Sequence, residues 1–209
     1  QSAFISDLIG HCKESDVYVL KYYPYGALSH FEEFLPLDPD LNTKKRFKLC
    51  LNYIKIINFI HTSQSTPAVM CDTNTLNKTL EQYLLVETDT IVLNDVDSLT
   101  LIKSDGIVCG HQEITGDFVA PEQRWPYCGR TYDERLMPHY NEKTDIWKIP
   151  SVCQHILGNS NSALTIKFHL FKINKQCRSL DPSLRPTALK VLLSYDEVYT
   201  EFFVVKDEL

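Results

Sequence analysis

"FVAPEQ", Phe118 to Gln123, closes a stretch of about fifty residues that has no helical or strand period. About twenty residues further on lies "EKTDIWKIP", Glu142 to Pro150, which opens a helical pattern. Beyond it lies "DPSLRPTA", Asp181 to Ala188, which opens the last one. Each is weak alone, since a tripeptide such as Ala120-Pro121-Glu122 recurs freely. Their order is more informative. An irregular segment as long as 94–144 inside a compact domain is normally functional, which narrows the field to folds with a large active-site loop.

Outward from there, the pattern is helical over Asp145 to Leu157, Thr165 to about Cys177, and Pro186 to about Phe203, with Pro186 at a tolerant first helical position. Upstream, Phe47, Leu51, Ile54, Ile57, Ile60 and His61 recur at three- and four-residue spacing and predict a helix from Leu41 to about Ser63. Lys44, Lys45, Arg46 and Lys48 interrupt it as a solvated face, and His61 ends it as a satisfied structural histidine. A strand is expected over Val17 to Tyr23, followed by a turn at Pro24-Tyr25-Gly26 and a short helix from about Leu28. Two short strands, Tyr83–Val86 and Thr90–Leu93, flank Glu87-Thr88-Asp89. A front strand, long helices behind and a central irregular segment make the class α+β.

The chain has 209 residues, 44% hydrophobic and 23% charged, as suits a folded globular protein. A net charge of −6 argues against a nucleic-acid surface. No apolar run reaches the length of a membrane span, and "QSAFISDLIGHCK" lacks the basic start and apolar core of a signal peptide. The seven cysteines form no CxxC pair, so a zinc site is not expected. Their scatter fits reduced core thiols or long-range disulfides, and an odd number leaves at least one outside any pairing within the chain. The chain ends in Lys206-Asp207-Glu208-Leu209, the retrieval signal of the endoplasmic reticulum lumen. Disulfides and N-glycans form in that compartment, and Asn77-Lys78-Thr79 is an acceptor sequon.

"FVAPEQ", "EKTDIWKIP" and "DPSLRPTA", in this order, resemble the C-terminal lobe of the protein-kinase fold. The resemblance implies a buried ion pair between Glu122 and Arg185, and an Asp145 that ties down the catalytic loop's backbone. It divides the chain into 1–23, the last strands and hinge of an N-terminal lobe, 24–205, the C-terminal lobe, and 206–209, the signal. Phosphoryl transfer needs a carboxylate to orient the attacking hydroxyl and acidic or amide ligands for Mg²⁺. Met70-Cys71-Asp72 occupies the His-Arg-Asp position, which makes Asp72 the catalytic carboxylate. Asp95-Val96-Asp97 occupies the Asp-Phe-Gly position, with Asp95 as metal ligand and Asp97 its competitor.

Asp72 and Asp95 stand 23 residues apart against roughly eighteen in ordinary kinases, which implies a catalytic-loop insert of about five residues near "TNTLN". "YLL" follows Gln82 as a strand follows the metal-side Asn in kinases, so Gln82 is favoured for that role, with Asn77 the alternative and a glycosylation candidate on an exposed insert. Leu84 would floor the adenine, and Lys21-Tyr22-Tyr23 would form the hinge. With Cys71 in place of the loop arginine, ordering of the segment by phosphorylation is not expected.

"MCDTNTLNKTLEQYLL", "NDVDSL", "GDFVAPEQRWPY" and "EKTDIWKIP" further resemble the protein O-mannose kinases, over nearly the whole chain. That resemblance implies transfer of the γ-phosphate of ATP, with Mg²⁺ or Mn²⁺, to the 6-hydroxyl of mannose. The acceptor would be the core GalNAc-GlcNAc-mannose trisaccharide on α-dystroglycan. The family is a monomeric type II membrane protein facing the endoplasmic reticulum lumen. Its Gly-rich loop, strand-borne lysine, paired glutamate and membrane anchor are expected upstream of residue 1. Trp125 and Tyr127 follow Ala-Pro-Glu, where a sugar platform could lie, though core packing suits Trp125 better; His111 is a weaker substrate candidate. A pseudokinase scaffold is the competing class. Retention of both Asp72 and Asp95 favours the enzyme.

Overall fold

A computed structural model describes residues 2–63 and 65–204. The expected retrieval signal at 206–209 lies outside the described residues. The elements run β1 (Leu8–Cys12), β2 (Val17–Leu20), a 3-10 turn (Leu28–Phe34), α1 (Pro39–Thr62), β3 (Ala68–Met70), α2 (Leu76–Glu81), β4 (Tyr83–Glu87), β5 (Thr90–Leu93), β6 (Leu99–Leu101), α3 (Lys143–Leu157), α4 (Asn161–His169), α5 (Phe171–Cys177) and α6 (Ala188–Phe203). The strands form three antiparallel pairs, β1–β2, β3–β6 and β4–β5. The architecture is thus mixed helix and sheet. No helix among the described residues is long and apolar enough to cross a membrane.

α1 is the axle. Asp38 caps it, its Oδ1 accepting from the amides of Asp40 and Leu41 at 2.9 and 2.8 Å, and Pro39 follows at the first helical position. Phe47, Leu51, Ile54, Ile57 and Ile60 are all buried, as their spacing predicts, and so are Leu49, Cys50, Tyr53 and Ile56. A helix buried nearly all round must be enclosed, and α3, α6 and β5 do this. The basic run is the exception to the expectation of a solvated face. Lys45 donates to the Thr88 hydroxyl at 2.8 Å and Lys48 pairs with Asp89 at 2.9 Å, clamping the β4–β5 turn. Arg46 donates to the Ile156 carbonyl at 2.7 Å and pairs with Glu32 at 3.0 Å. These side chains hold α1 to its neighbours.

Several boundaries differ from the sequence expectation; α1 and α3 each start two residues earlier, at Pro39 and Lys143. β2 stops at Leu20, although the Lys21 amide still donates to the Asp7 carbonyl at 2.9 Å; its partner β1 is a strand the period did not reveal. The stretch from 165 starts earlier, at Asn161, because the Ser160 hydroxyl caps the Ala163 amide, and it breaks at Leu170 into α4 and α5. The last helix starts at Ala188, since the Thr187 hydroxyl caps the Lys190 amide at 3.2 Å and so puts Pro186 ahead of the cap.

The irregular segment has its own small core. Val69, Ile107, Cys109, Met137 and Tyr140 are buried together, with Cys71, Trp125 and Tyr132 half-buried around them. The loop after β3 therefore sits between two apolar clusters, the α1–α3–α6 core on one side and the packed segment on the other.

Candidate active site

β3 delivers the chain to Asp72, and a buried polar network fixes the delivery. The Asp145 carboxylate, 1% exposed, accepts from the Met70 amide at 3.2 Å and lies 3.2 Å from His61 Nε2. Its other oxygen is 4.0 Å from the ammonium of Lys148, which is 2% exposed. Lys148 donates to the Thr73 hydroxyl, which in turn donates to the Met70 carbonyl at 2.9 Å. Both neighbours of the Cys71–Asp72 dipeptide are thus held from below. Burial lowers the Lys148 pKa, opposed by the Asp145 charge. His61 is buried within this network, and Asp145 holds the Met70 amide just ahead of the loop.

Asp72 itself rises out of this frame, its side chain 43% exposed. It forms an ion pair with Lys78 on α2. The expected insert is therefore not a solvated loop. Thr73 is buried inside the network, and Thr75 caps α2 by accepting from the Lys78 amide at 3.2 Å. The polar residues there are caps and network members, a role that sequence crowding does not distinguish from a loop. Asn77 sits exposed on α2, donating to Glu81 Oε1 at 2.7 Å, while Thr79 of the same sequon is buried.

Gln82 ends α2 and anchors the second acidic group. Its backbone carbonyl accepts from the amides of Asn94 and Asp95 at 2.9 and 3.4 Å, which sets Asp95 beside it. Its side-chain Nε2 donates to the Lys78 carbonyl at 3.1 Å. Its Oε1 is buried without a hydrogen-bond partner. The structure thus brings Gln82 to Asp95 and leaves Asn77 facing solvent. Asp95 and Asp97 share a hydrogen bond, which with burial raises the Asp95 pKa from 3.8 to about 6 and lowers that of exposed Asp97. The Asp72 charge adds to the rise and the Lys78 charge opposes it.

Among the described residues no three His, Cys, Asp or Glu side chains cluster to hold a metal by themselves. Two adjacent carboxylates and an orphaned amide oxygen nonetheless suit a hard cation. Mg²⁺ takes one or two carboxylates and fills the rest of its shell with phosphate and water oxygens.

A cavity of about 510 Å³ opens beside these groups, lined among others by Asp72, Asn74, Lys78, Asp97, Glu113 and Thr115. Its far wall is the irregular segment, held to the Asp72 loop in two ways. Cys71 is disulfide-bonded to Cys109. Gly116, at φ +132°, packs so closely that a Cβ there would lie 2.7 Å from the Asn74 carbonyl oxygen. Sequence reasoning named neither contact. The hint was a cysteine directly before Asp72, where the phosphate-binding arginine would stand. Cys12, Cys50, Cys128, Cys153 and Cys177 are free thiols.

The frame behind the segment is closed by Glu122 and Arg185, paired through two bonds of 2.5 and 2.8 Å, with Arg185 also donating to the Lys143 carbonyl at 2.9 Å. Lys21 is 3.6 Å from Asp7, Tyr22 is exposed, and the buried Tyr23 accepts from the Asp7 amide at 3.1 Å. Leu84, half-buried on β4, pairs with Ala27 just beyond that turn. None of the four lines the cavity at Asp72. Trp125 is half-buried, stacked edge-on with Tyr127 at 4.9 Å, so core packing describes it in part. His111 is exposed and bound to Glu134 at 2.7 Å.

A carboxylate lining a cleft, an acidic pair beside it and a tied-down wall opposite are compatible with the needs of phosphoryl transfer. No family model matches the chain. Curated proteins named protein O-mannose kinase do match it. The chain is 44% identical over 205 residues to the one from Homo sapiens, covering 95% of this chain. It is 45% identical to that from Macaca fascicularis and 42% identical to that from Gallus gallus. The chain is a relative of the protein O-mannose kinases, as its motifs imply. It spans 59% of the length of these three relatives.

Proposed function

We propose that the chain is the C-terminal lobe, with the end of the N-terminal sheet, of an ATP-dependent kinase that phosphorylates the 6-hydroxyl of O-linked mannose. The observation that carries this is the placement of Asp72 and Asp97 on one cavity, with Asp95 hydrogen-bonded to Asp97 and felt by the Asp72 charge, and Gln82 Oε1 without a partner behind them. Asp72 accepts the proton of the attacking hydroxyl and orients its oxygen. Asp95 and Gln82 would hold Mg²⁺ or Mn²⁺, which would neutralise the phosphate charge of ATP. Lys21, Tyr22, Tyr23 and Leu84 are assigned to the adenine side, at the turn where the Leu85 amide donates to the Gly26 carbonyl at 2.9 Å. The name of the relatives supports mannose as acceptor. The trisaccharide GalNAc-GlcNAc-Man on α-dystroglycan is the acceptor proposed here.

The proposed place of work is the endoplasmic reticulum lumen, in a full-length protein held as a monomer by a type II anchor. The terminal Lys-Asp-Glu-Leu and a disulfide at the catalytic loop support an oxidising compartment. The 209 residues carry no Gly-rich phosphate loop, so alone they neither hold ATP well nor catalyse. The test incubates the full-length protein and the isolated chain with ATP, Mn²⁺ and the trisaccharide. Phosphate on the mannose 6-position by the first alone is expected. Turnover by the isolated chain equal to the full-length rate contradicts the division of labour, and no transfer by either contradicts the assignment.

A further inference from the structure

The cavity at Asp72 is lined by three carboxylates, those of Asp72, Asp97 and Glu113, with Asp95 close behind. A phosphoryl group in transfer carries its negative charge on three equatorial oxygens, and such a wall repels it. Among the described lining residues one side chain is cationic, and it is Lys78. Its ammonium is paired with Asp72, the group assigned to the attacking hydroxyl, and its side chain is 44% exposed toward the cleft. A lysine in reach of the base is in reach of the group that the hydroxyl attacks.

The placement is built. α2 is capped by Thr75, stiffened by the Thr79 hydroxyl donating to the Thr75 carbonyl at 2.8 Å, and closed by Gln82 Nε2 on the Lys78 carbonyl. The last of these ties the Lys78 backbone to Gln82, whose carbonyl accepts from the Asp95 amide. The short helix that enlarges this loop thus brings one positive charge to a carboxylate-lined cleft.

We infer that Lys78 is a catalytic residue of this site, contacting a non-bridging oxygen of the transferred phosphoryl group. The inference rests on the kinase assignment above. In the step, the mannose hydroxyl oxygen forms a bond to the γ-phosphorus as the bond from that phosphorus to the β,γ-bridging oxygen breaks. The electron pair leaves with ADP, the hydroxyl proton passes to the Asp72 carboxylate, and Lys78 remains protonated throughout. Lys78 bonds more strongly as charge gathers on the equatorial oxygens, so its effect falls on kcat.

The experiment measures steady-state kinetics of full-length Lys78→Ala, Lys78→Arg and Asp72→Asn with ATP, Mn²⁺ and the trisaccharide, alongside thermal unfolding. Lys78→Ala is expected to lose kcat by about 10²–10³-fold with the acceptor KM changed only a few-fold. Lys78→Arg is expected to recover part of the loss, and added methylammonium to restore Lys78→Ala saturably. Full kcat in Lys78→Ala with Asp72→Asn inactive overturns the role of Lys78 and leaves the kinase assignment standing. A loss in Lys78→Ala that neither arginine nor methylammonium relieves, with a lowered unfolding temperature, also overturns it, because the side chain then serves only the fold. Full activity in both variants overturns the kinase assignment itself.

Discussion

Cys71 and Cys109 are joined by a disulfide, so the residue directly before Asp72 is covalently tied to the segment that walls the cavity. In a kinase of the ordinary pattern the residue at Cys71 is an arginine that holds a phosphorylated segment in place. Here a permanent bond spans the same two pieces of chain, 38 residues apart in sequence. On loop-closure entropy a bridge of that span contributes about 4 kcal/mol. The double variant Cys71→Ser/Cys109→Ser is expected to lose a stability of that size in urea unfolding, and phosphotransfer should fall with it. Phosphatase treatment should leave the wild-type rate unchanged; a loss on dephosphorylation would mean that the tether does not replace the switch.

Glu122 and Arg185 form the second anchor of that segment. The Arg185 side chain is wholly buried and that of Glu122 16% exposed, so removing one partner strands a charge. Arg185→Ala is expected to cost about 3–5 kcal/mol. Glu122→Leu combined with Arg185→Met should cost clearly less than either single change. Chemical denaturation of the four proteins checks this, and additive losses would show that the two side chains do not act as a pair.

Asp95 and Asp97 share one proton, with Asp95 raised to about 6. The folded chain therefore holds that proton where the unfolded chain has released it. Stability attributable to Asp95 is present below its ordinary 3.8 and is lost as pH rises to about 6, and the lowered Asp97 offsets part of this. A divalent cation needs the deprotonated carboxylate. Mn²⁺ affinity is expected to fall about tenfold per pH unit below pH about 6. Asp97→Ala, which removes the largest cause of the rise, should move that break to lower pH. Calorimetric titration of Mn²⁺ across pH 5 to 8 measures it, and an unmoved break would mean that burial alone sets the Asp95 proton.

What was legible in the sequence follows from which interactions are local. α1 shows itself through the spacing of Phe47, Leu51, Ile54 and Ile57, all within one segment, while its cap at Asp38 and its start at Pro39, two residues before the expected Leu41, come from the structure. Asp145, Glu122 and Arg185 were legible through motif order, and their partners lie where those motifs imply. The loop after Asp72 was not. Its Thr73 looks solvated in sequence, yet it is buried against Lys148, 75 residues on. Only the packing of α3 beneath the loop makes a threonine and a lysine there into core residues. The Lys45 and Lys48 contacts with the β4–β5 turn escaped for the same reason, since a basic run does not name its acceptors.

The central claim is that Asp72 is the working carboxylate, and one measurement bears on it most directly: the rate at which full-length Asp72→Asn phosphorylates the mannose 6-hydroxyl of the trisaccharide, with folding checked by thermal unfolding. Asparagine keeps the shape and loses the capacity to take a proton. A folded variant with kcat lowered about 10²–10⁴-fold is the predicted result. Glycan phosphorylation persisting at the wild-type rate would contradict it, and would return the fold to the role of a scaffold.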